Sequence, residues 1–267
     1  MPARPTDEHC PDPVRRASMT QRWDSLTFVH FEYEPADVAA RLPAPLRPDT
    51  FDGAAWVSLV PFEMQHLRLT GLPPIPGAYR FCETNVRTYV VGPDGTPGVY
   101  FFSLDVPSPA VVAAARIGFA LPYRLARMSM ERIGHRVSYQ TVRRGASGGG
   151  GTAASRLTVE VGDPVVADDL DVFLTSRWGL LTATRPDRVR YAPVEHDPWP
   201  LQRATVHELD DTLVAAAGLP EPQDRMIVRY SPGVDVRIGF PRRLPVDPAS
   251  RGAERGRAGG PNGTLRR

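Results

Sequence analysis

A mainly β (α+β) protein, built on a curled or closed, mostly antiparallel sheet with a few short flanking helices, is the fold class this sequence predicts. Three observations lead there. Runs of β-branched and aromatic residues, punctuated by Gly, Pro and Asp, recur from residue 21 to residue 244. Stretches with helical spacing are few and short. The strand, helix, strand alternation of a parallel sheet is missing, so the sheet itself has to curl in order to bury a face.

Taken in order, "QRWDSLTFVHFEYE" (21–34) predicts a first strand. The folded pattern therefore begins only after Met19. Segments 1–18 and 245–267, dominated by Pro, Gly and charge, are expected to be disordered around a single domain spanning 19–244. "EPADVAARLPAPLRPD" (34–49) reads as a short helix stopped by Pro43. A strand region at 53–69 and a proline loop at 70–80 follow. Two strong strand patterns at 81–106 flank Gly92-Pro93-Asp94-Gly95, a hairpin signal because these residues favour turn backbone. Between Pro109 and Gly118 the period becomes helical, with a Pro start and a Gly stop. Strands are expected again at 134–144 and 155–163, joined by a glycine-rich tip. The Asp-rich start and helical spacing of 168–184 predict a second main helix. Strand-like segments at 188–209 and 225–244, with a short helix near 210–217, complete the reading.

Composition excludes several function classes. The net charge is +2, and the segment from Pro245 carries five arginines against two acids, which leaves a near-neutral body without a nucleic-acid footprint. Cys10 and Cys82 lie too far apart to suggest a disulfide framework or a Cys-based zinc site, and a reducing cytoplasm fits them. No run approaches the ~18 apolar residues of a membrane span. The 267 residues include no lysine, so all 32 basic side chains are arginine. A guanidinium does not act as an amine nucleophile, which excludes side-chain Schiff-base chemistry.

Gly145-Ala146-Ser147-Gly148-Gly149 matches the letters of a nucleophile elbow, but more glycine and then a strand follow instead of a helix, so the match is accidental. Glu195, His196 and Asp197, with His207 and Glu208 further on, are metal-ligating types. Adjacent strand residues point to opposite faces, so they cannot converge without a bend, and a loop with satisfied polar groups is the expectation. His30 shares a strand face with Phe28 and Glu32 and reads as a hydrogen-bonded structural histidine. In "ETNVRTYV", period two puts Glu83, Asn85 and Arg87 on one face. That face is either solvated or the interior of a barrel mouth, where acid, amide and base would orient a small polar ligand.

In this order, "WDSLTFVHFEYEPADVAARLPAPL", "ETNVRTYV", "GVYFFSLD" and "GFALPYRLARMSM" resemble the acetoacetate decarboxylase superfamily, and more closely its uncharacterised YqjF-like members. The resemblance spans Gln21 to Leu244 and implies a cone-shaped, mostly antiparallel β-barrel around a largely apolar cavity. The stretch similar to "LPYRLA" carries two consecutive lysines in the decarboxylases, the first of which forms the imine. Here those positions hold Tyr123 and Arg124. Glu83 looks like the family's active-site glutamate, whereas the arginine expected on the first strand falls near Glu32.

What the resemblance implies is a cavity for a small organic acid or oxo-acid. Glu83 and Tyr123 are its acid/base candidates, and Arg124, Arg87, Asn85, Glu32 and His30 its ligand-binding candidates. Any catalysis would be acid/base chemistry without a Schiff base. The alternative is a non-catalytic protein holding an apolar metabolite, with Tyr123 and Arg124 as structural plugs. No cofactor or metal is expected. A small-molecule ligand is the expected partner, with further copies of the chain left open and nucleic acid and membrane excluded.

Overall fold

In the computed structural model the described residues are 7–73, 78–144 and 152–246. The glycine-rich tip with the nucleophile-elbow letters, and the arginine-rich tail from 247, lie outside them. The strands are β1 (Ala17–Tyr33), β2 (Arg47–Pro48), β3 (Ala55–Leu69), β4 (Arg80–Val91), β5 (Pro97–Val106), β6 (Tyr123–Ile133) and β7 (Arg136–Arg143). They continue as β8 (Ala154–Pro164), β9 (Gly179–Arg185), β10 (Arg188–His196), β11 (Gln202–Asp211), β12 (Met226–Gly239) and β13 (Arg242–Arg243). The helices are α1 (Pro35–Ala39), α2 (Pro109–Phe119) and α3 (Asp169–Thr175).

Among the described residues all 13 strands join one sheet in the order β13-β10-β9-β5-β6-β7-β8-β11-β12-β1-β3-β4-β2. Two additional pairings, β10 with β12 and β5 with β4, make the ladder close on itself. Pairing is antiparallel except where β5 meets β6 and β9. The central strands β1, β3 and β4 separate two apolar cores, and strand alternation decides which residue enters which. Phe28 and Val60 enter one core, and their neighbours Val29 and Leu59 the other. β4 is consequently buried on both faces through most of its length. Its rear threonines find partners there: Thr84 bonds Thr141 at 2.8 Å, and Thr88 donates to the Trp56 carbonyl at 2.7 Å.

Several expectations are corrected. α1 ends at Ala39, ahead of Pro43, and the chain tightens into turns in which the Arg41 and Leu42 N–H groups bond the Val38 and Ala39 carbonyls at 3.0 and 3.2 Å. α3 stops at Thr175, and the rest of 168–184 is the connection to β9 and that strand itself. Its start is a capping box: Asp168 accepts from the Asp171 N–H at 2.7 Å, and Asp171 reciprocates. The helix near 210–217 shrinks to a single turn of 3₁₀ helix at Ala215–Ala217. β6 had no counterpart in the sequence reading. α2 runs past Gly118 to Phe119, with Ala120 in the left-handed conformation beyond it. Within the N-terminal segment expected to be disordered, Val14 is anchored to the body although its neighbours are largely exposed. Val14 is 5% exposed, its N–H donates to Glu195 Oε2 at 2.8 Å and its carbonyl accepts from Arg237 at 2.7 Å. The Trp178 indole donates to the Asp7 carbonyl at 2.9 Å.

Candidate functional site

Inside the ring formed by β12, β1, β3, β4, β5, β9 and β10 lies a cavity of about 550 Å³. Its walls are largely apolar, with Phe62, Met64, Phe101, Leu104 and Trp199 among them. Against these stand a few convergent polar groups: Glu83, Asn85, Arg87, Tyr123, His196 and Gln21, together with Arg177, whose charge is paired. This is the usual constitution of a small-molecule site.

β4 carries three of the polar groups, because period two projects Glu83, Asn85 and Arg87 from one face. They sit opposite Phe62, Val60 and Ser58 of β3, and are 3%, 5% and 6% exposed. Tyr123 begins β6, which pairs in parallel with the end of β5 at Leu104. α2 holds it there, as the Arg116 guanidinium donates to the Tyr123 carbonyl at 2.6 and 3.0 Å. The Tyr123 hydroxyl donates to Glu83 Oε2 at 3.2 Å.

Burial pushes the Glu83 carboxyl up to about 8. The Tyr123 hydroxyl and the Asn85 amide oppose that rise, and the negative charge of Asp105 adds to it. Glu83 is therefore a neutral acid at pH 7, able to donate its own proton. Burial likewise raises Tyr123 well above the ordinary phenol range, with Glu83 contributing.

Arg87 closes the deep end. One guanidinium nitrogen donates to the Leu174 carbonyl at 3.2 Å, at the end of α3, and the group lies over the Phe28 ring, 5.4 Å from its centroid. Its Nε has no partner, nor does the Asn85 carbonyl oxygen. Among the described residues no carboxylate pairs with Arg87, in contrast to the equally buried Arg177, which is held by Asp49 at 2.6 Å. Glu83, being neutral, does not compensate the Arg87 charge.

His196 reached this site unforeseen. The sequence reading treated it as part of a polar loop, yet alternation along β10 sends Val194 and His196 inward together and Glu195 outward, the signal that would have found it. Nδ1 lies 2.7 Å from the Asp197 carbonyl. A carbonyl only accepts, so Nδ1 carries the proton and Nε2 the lone pair. Burial lowers this imidazole to about 4, with Arg87 adding to the effect, so the ring is neutral at pH 7. Trp199 and Trp23, stacked at 6.0 Å, extend the same wall. His207 is exposed and pairs with Glu160, well apart from His196 in its contacts. Among the described residues no three of His, Cys, Asp and Glu gather as a metal ion would require.

Three sequence-derived candidates do not line the cavity. Arg124 is exposed, since it follows Tyr123 directly on β6 and adjacent strand residues point to opposite faces. Glu32 lies towards the end of β1 and pairs with Arg225 at 3.2 Å. His30 is fully buried behind the cavity wall, stacked on Phe28 with centroids 5.7 Å apart and bonded through Nδ1 to Ser58 at 2.7 Å. That is the hydrogen-bonded structural arrangement rather than a ligand contact.

The fold is shared with proteins of the acetoacetate decarboxylase-like fold. The chain is similar to acetoacetate decarboxylase from Legionella pneumophila, with a TM-score of 0.61 at 13% identity, covering 88% of this chain and 92% of that one. It is also similar to the enduracididine biosynthesis enzyme MppR complexed with pyruvate, with a TM-score of 0.57 at 14% identity, covering 90% and 98%. Likeness at such identities establishes the fold alone. More specifically, residues 20–235 match DUF2071, "Uncharacterized conserved protein", and the chain belongs to that family. The uncharacterized protein YqjF of Bacillus subtilis (strain 168) is 37% identical over 220 residues, 82% of this chain and 89% of that protein.

Proposed function

We propose that this protein binds a small organic acid, in particular an oxo-acid, in the internal cavity, with Arg87 rather than Arg124 taking the carboxylate. A buried guanidinium without a carboxylate is the observation that carries this reading. An uncompensated internal charge is costly, and an incoming anion with two acceptor oxygens relieves that cost through charge-assisted hydrogen bonds. The Asn85 carbonyl, also without a partner, would accept from a hydroxyl or enol on the same ligand.

Glu83 and Tyr123 are the acid/base candidates. With the tyrosine hydroxyl on one carboxyl oxygen, the neutral Glu83 is free to present its own O–H to a ligand carbonyl. That polarises the carbonyl and supplies a proton to an enolate-like state. The pyruvate named with MppR is an acid of the proposed class. Imine formation is not part of the proposal, as the sequence has no lysine to provide the amine. The free cysteines Cys10 and Cys82 fit a reducing cytoplasm as its place of action.

The test is thermal unfolding with pyruvate, 2-oxobutanoate and acetoacetate. A ligand that binds only the folded state raises the midpoint by mass action. The expected result is a concentration-dependent rise in the parent protein and none in Arg87→Met. An unchanged midpoint with every acid would overturn the proposal. The apolar majority of the cavity walls favours the second reading, a non-catalytic protein holding an uncharged apolar metabolite. Stabilisation by such a compound, undiminished in Arg87→Met, would select that reading instead.

A further inference from the structure

We infer that the acid this cavity takes is amphiphilic, with its carboxylate deep at Arg87 and an apolar chain running out towards the rim. The inference rests on the assignment of Arg87 as the carboxylate anchor.

Polarity is graded along the strands that line the cavity. Successive inward residues of β4 are Arg87, Asn85, Glu83 and Phe81, polar at the deep end and apolar beyond Glu83. Cross-strand register continues the trend. Phe81 lies opposite Met64 on β3, and further along the same strand Leu67 and Leu69 follow. Leu69 pairs with Met19 of β1, which pairs in turn with Ile238 of β12. The rim reaches solvent at Leu72 and Phe240, which are 63% and 58% exposed. The polar exceptions on this outer wall are spoken for: the amide of buried Gln21 is turned to the Met19 sulfur at 3.8 Å, the Ser18 hydroxyl donates to the Ile238 carbonyl at 2.9 Å and the Thr70 hydroxyl to the Ala17 carbonyl at 2.8 Å.

Size supports the same conclusion. A volume of about 550 Å³ equals roughly eighteen water molecules at about 30 Å³ each, several times what an acid the size of pyruvate displaces. The remainder cannot be filled comfortably by water, because water needs two or more polar partners and these walls offer few. A hydrocarbon chain gains from contact with such walls. The exposed Leu72 and Phe240, otherwise unfavourable on a surface, would flank its outer end.

The test is calorimetric titration of the full chain with straight-chain carboxylates from acetate to decanoate and with the primary alcohols of the same lengths. Affinity is expected to rise by about fourfold per methylene, the yield of burying one CH₂, with each alcohol at least ~10-fold weaker than its acid. If short acids bind and chain length adds nothing, the carboxylate anchor stands and the amphiphilic ligand is refuted. If length adds affinity but alcohols match acids, the anchor fails and the inference fails with it. Absence of binding throughout overturns both.

Discussion

Arg87, Glu83 and His196 present one cation and two neutral groups to a single cavity, and each charge state follows from what surrounds the side chain. Because Arg87 is buried without an anion, replacing it with Met should leave the ligand-free protein as stable as before or slightly more so, while removing any response to organic acids. Unfolding midpoints with and without acid check this, and a loss of several degrees without ligand would make Arg87 a structural cation. Glu83 predicts a pH dependence. In the folded chain it keeps its proton up to about 8, whereas the unfolded carboxyl releases it near 4.5. The unfolded state then binds fewer protons, so stability falls as pH rises through this window and the contribution is lost above pH 8. His196, held down at about 4, acts in the opposite sense below its ordinary value of 6.5. The clean interval is therefore pH 6.5 to 8. There the parent protein should lose roughly 2 kcal/mol relative to Glu83→Gln, at ~1.4 kcal/mol per unit. Denaturant titrations of both proteins measure it, and parallel pH profiles would contradict the raised acidity. Alternation within β4 made Glu83, Asn85 and Arg87 legible in the sequence as one face. The same rule, applied to Tyr123-Arg124 and to Val194-Glu195-His196, separates Arg124 from the cavity and brings His196 in. A proline-led start hides β6 from a reading of the sequence, and alternation across Glu195-His196-Asp197 argues against a shared metal without telling which face is enclosed.

At the scale of elements, β1 and β12 form the longest continuous ladder, and a glycine permits its tightest contact. Gly233 lies opposite Asp24 at φ +121°, where a Cβ would overlap the Trp23 carbonyl and the Asp24 backbone. Gly233→Ala should cost about 2–3 kcal/mol, from both the overlap and a conformation that alanine resists. A near-neutral effect in denaturant unfolding would contradict this. The segment ahead of β1 gives a second expectation. With Val14 buried and its backbone tied to Glu195 and Arg237, deleting residues 1–16 should lower the unfolding midpoint by roughly 5 °C. An unchanged midpoint would return the segment to the disorder that its composition suggests. Composition misleads there because long-range hydrogen bonds to side chains on β10 and β12 leave no local periodicity to read. The helix expected over 168–184 overshot for a related reason. Its capping box announces the start at Asp168, but the stop depends on contacts made across the molecule: the Arg177 guanidinium caps the Phe173 carbonyl at 2.7 Å and binds Asp49. Gly179 then packs directly on the Tyr191 ring.

For the molecule as a whole, closure of the sheet turns a polar strand face into the lining of a buried cavity. An open sheet would leave Glu83 and Arg87 in water, where neither the raised acidity nor the value of an anion would arise. The fold class was legible because strand patterns, turn residues and the absence of helical alternation all agreed. The ring enclosing the cavity was not, since it depends on pairings between strands far apart in sequence, such as β10 with β12. The proposed function requires the carboxylate of an organic acid to sit at the deep end of that ring. Crystals grown with a medium-chain 2-oxo acid test it most directly. The expected result is density inside the cavity, with carboxylate oxygens about 2.7–3.2 Å from the Arg87 guanidinium and the chain directed towards Phe240. A carboxylate bound on the outer surface beside Arg124, or a chain buried with its carboxylate at the rim, would contradict it.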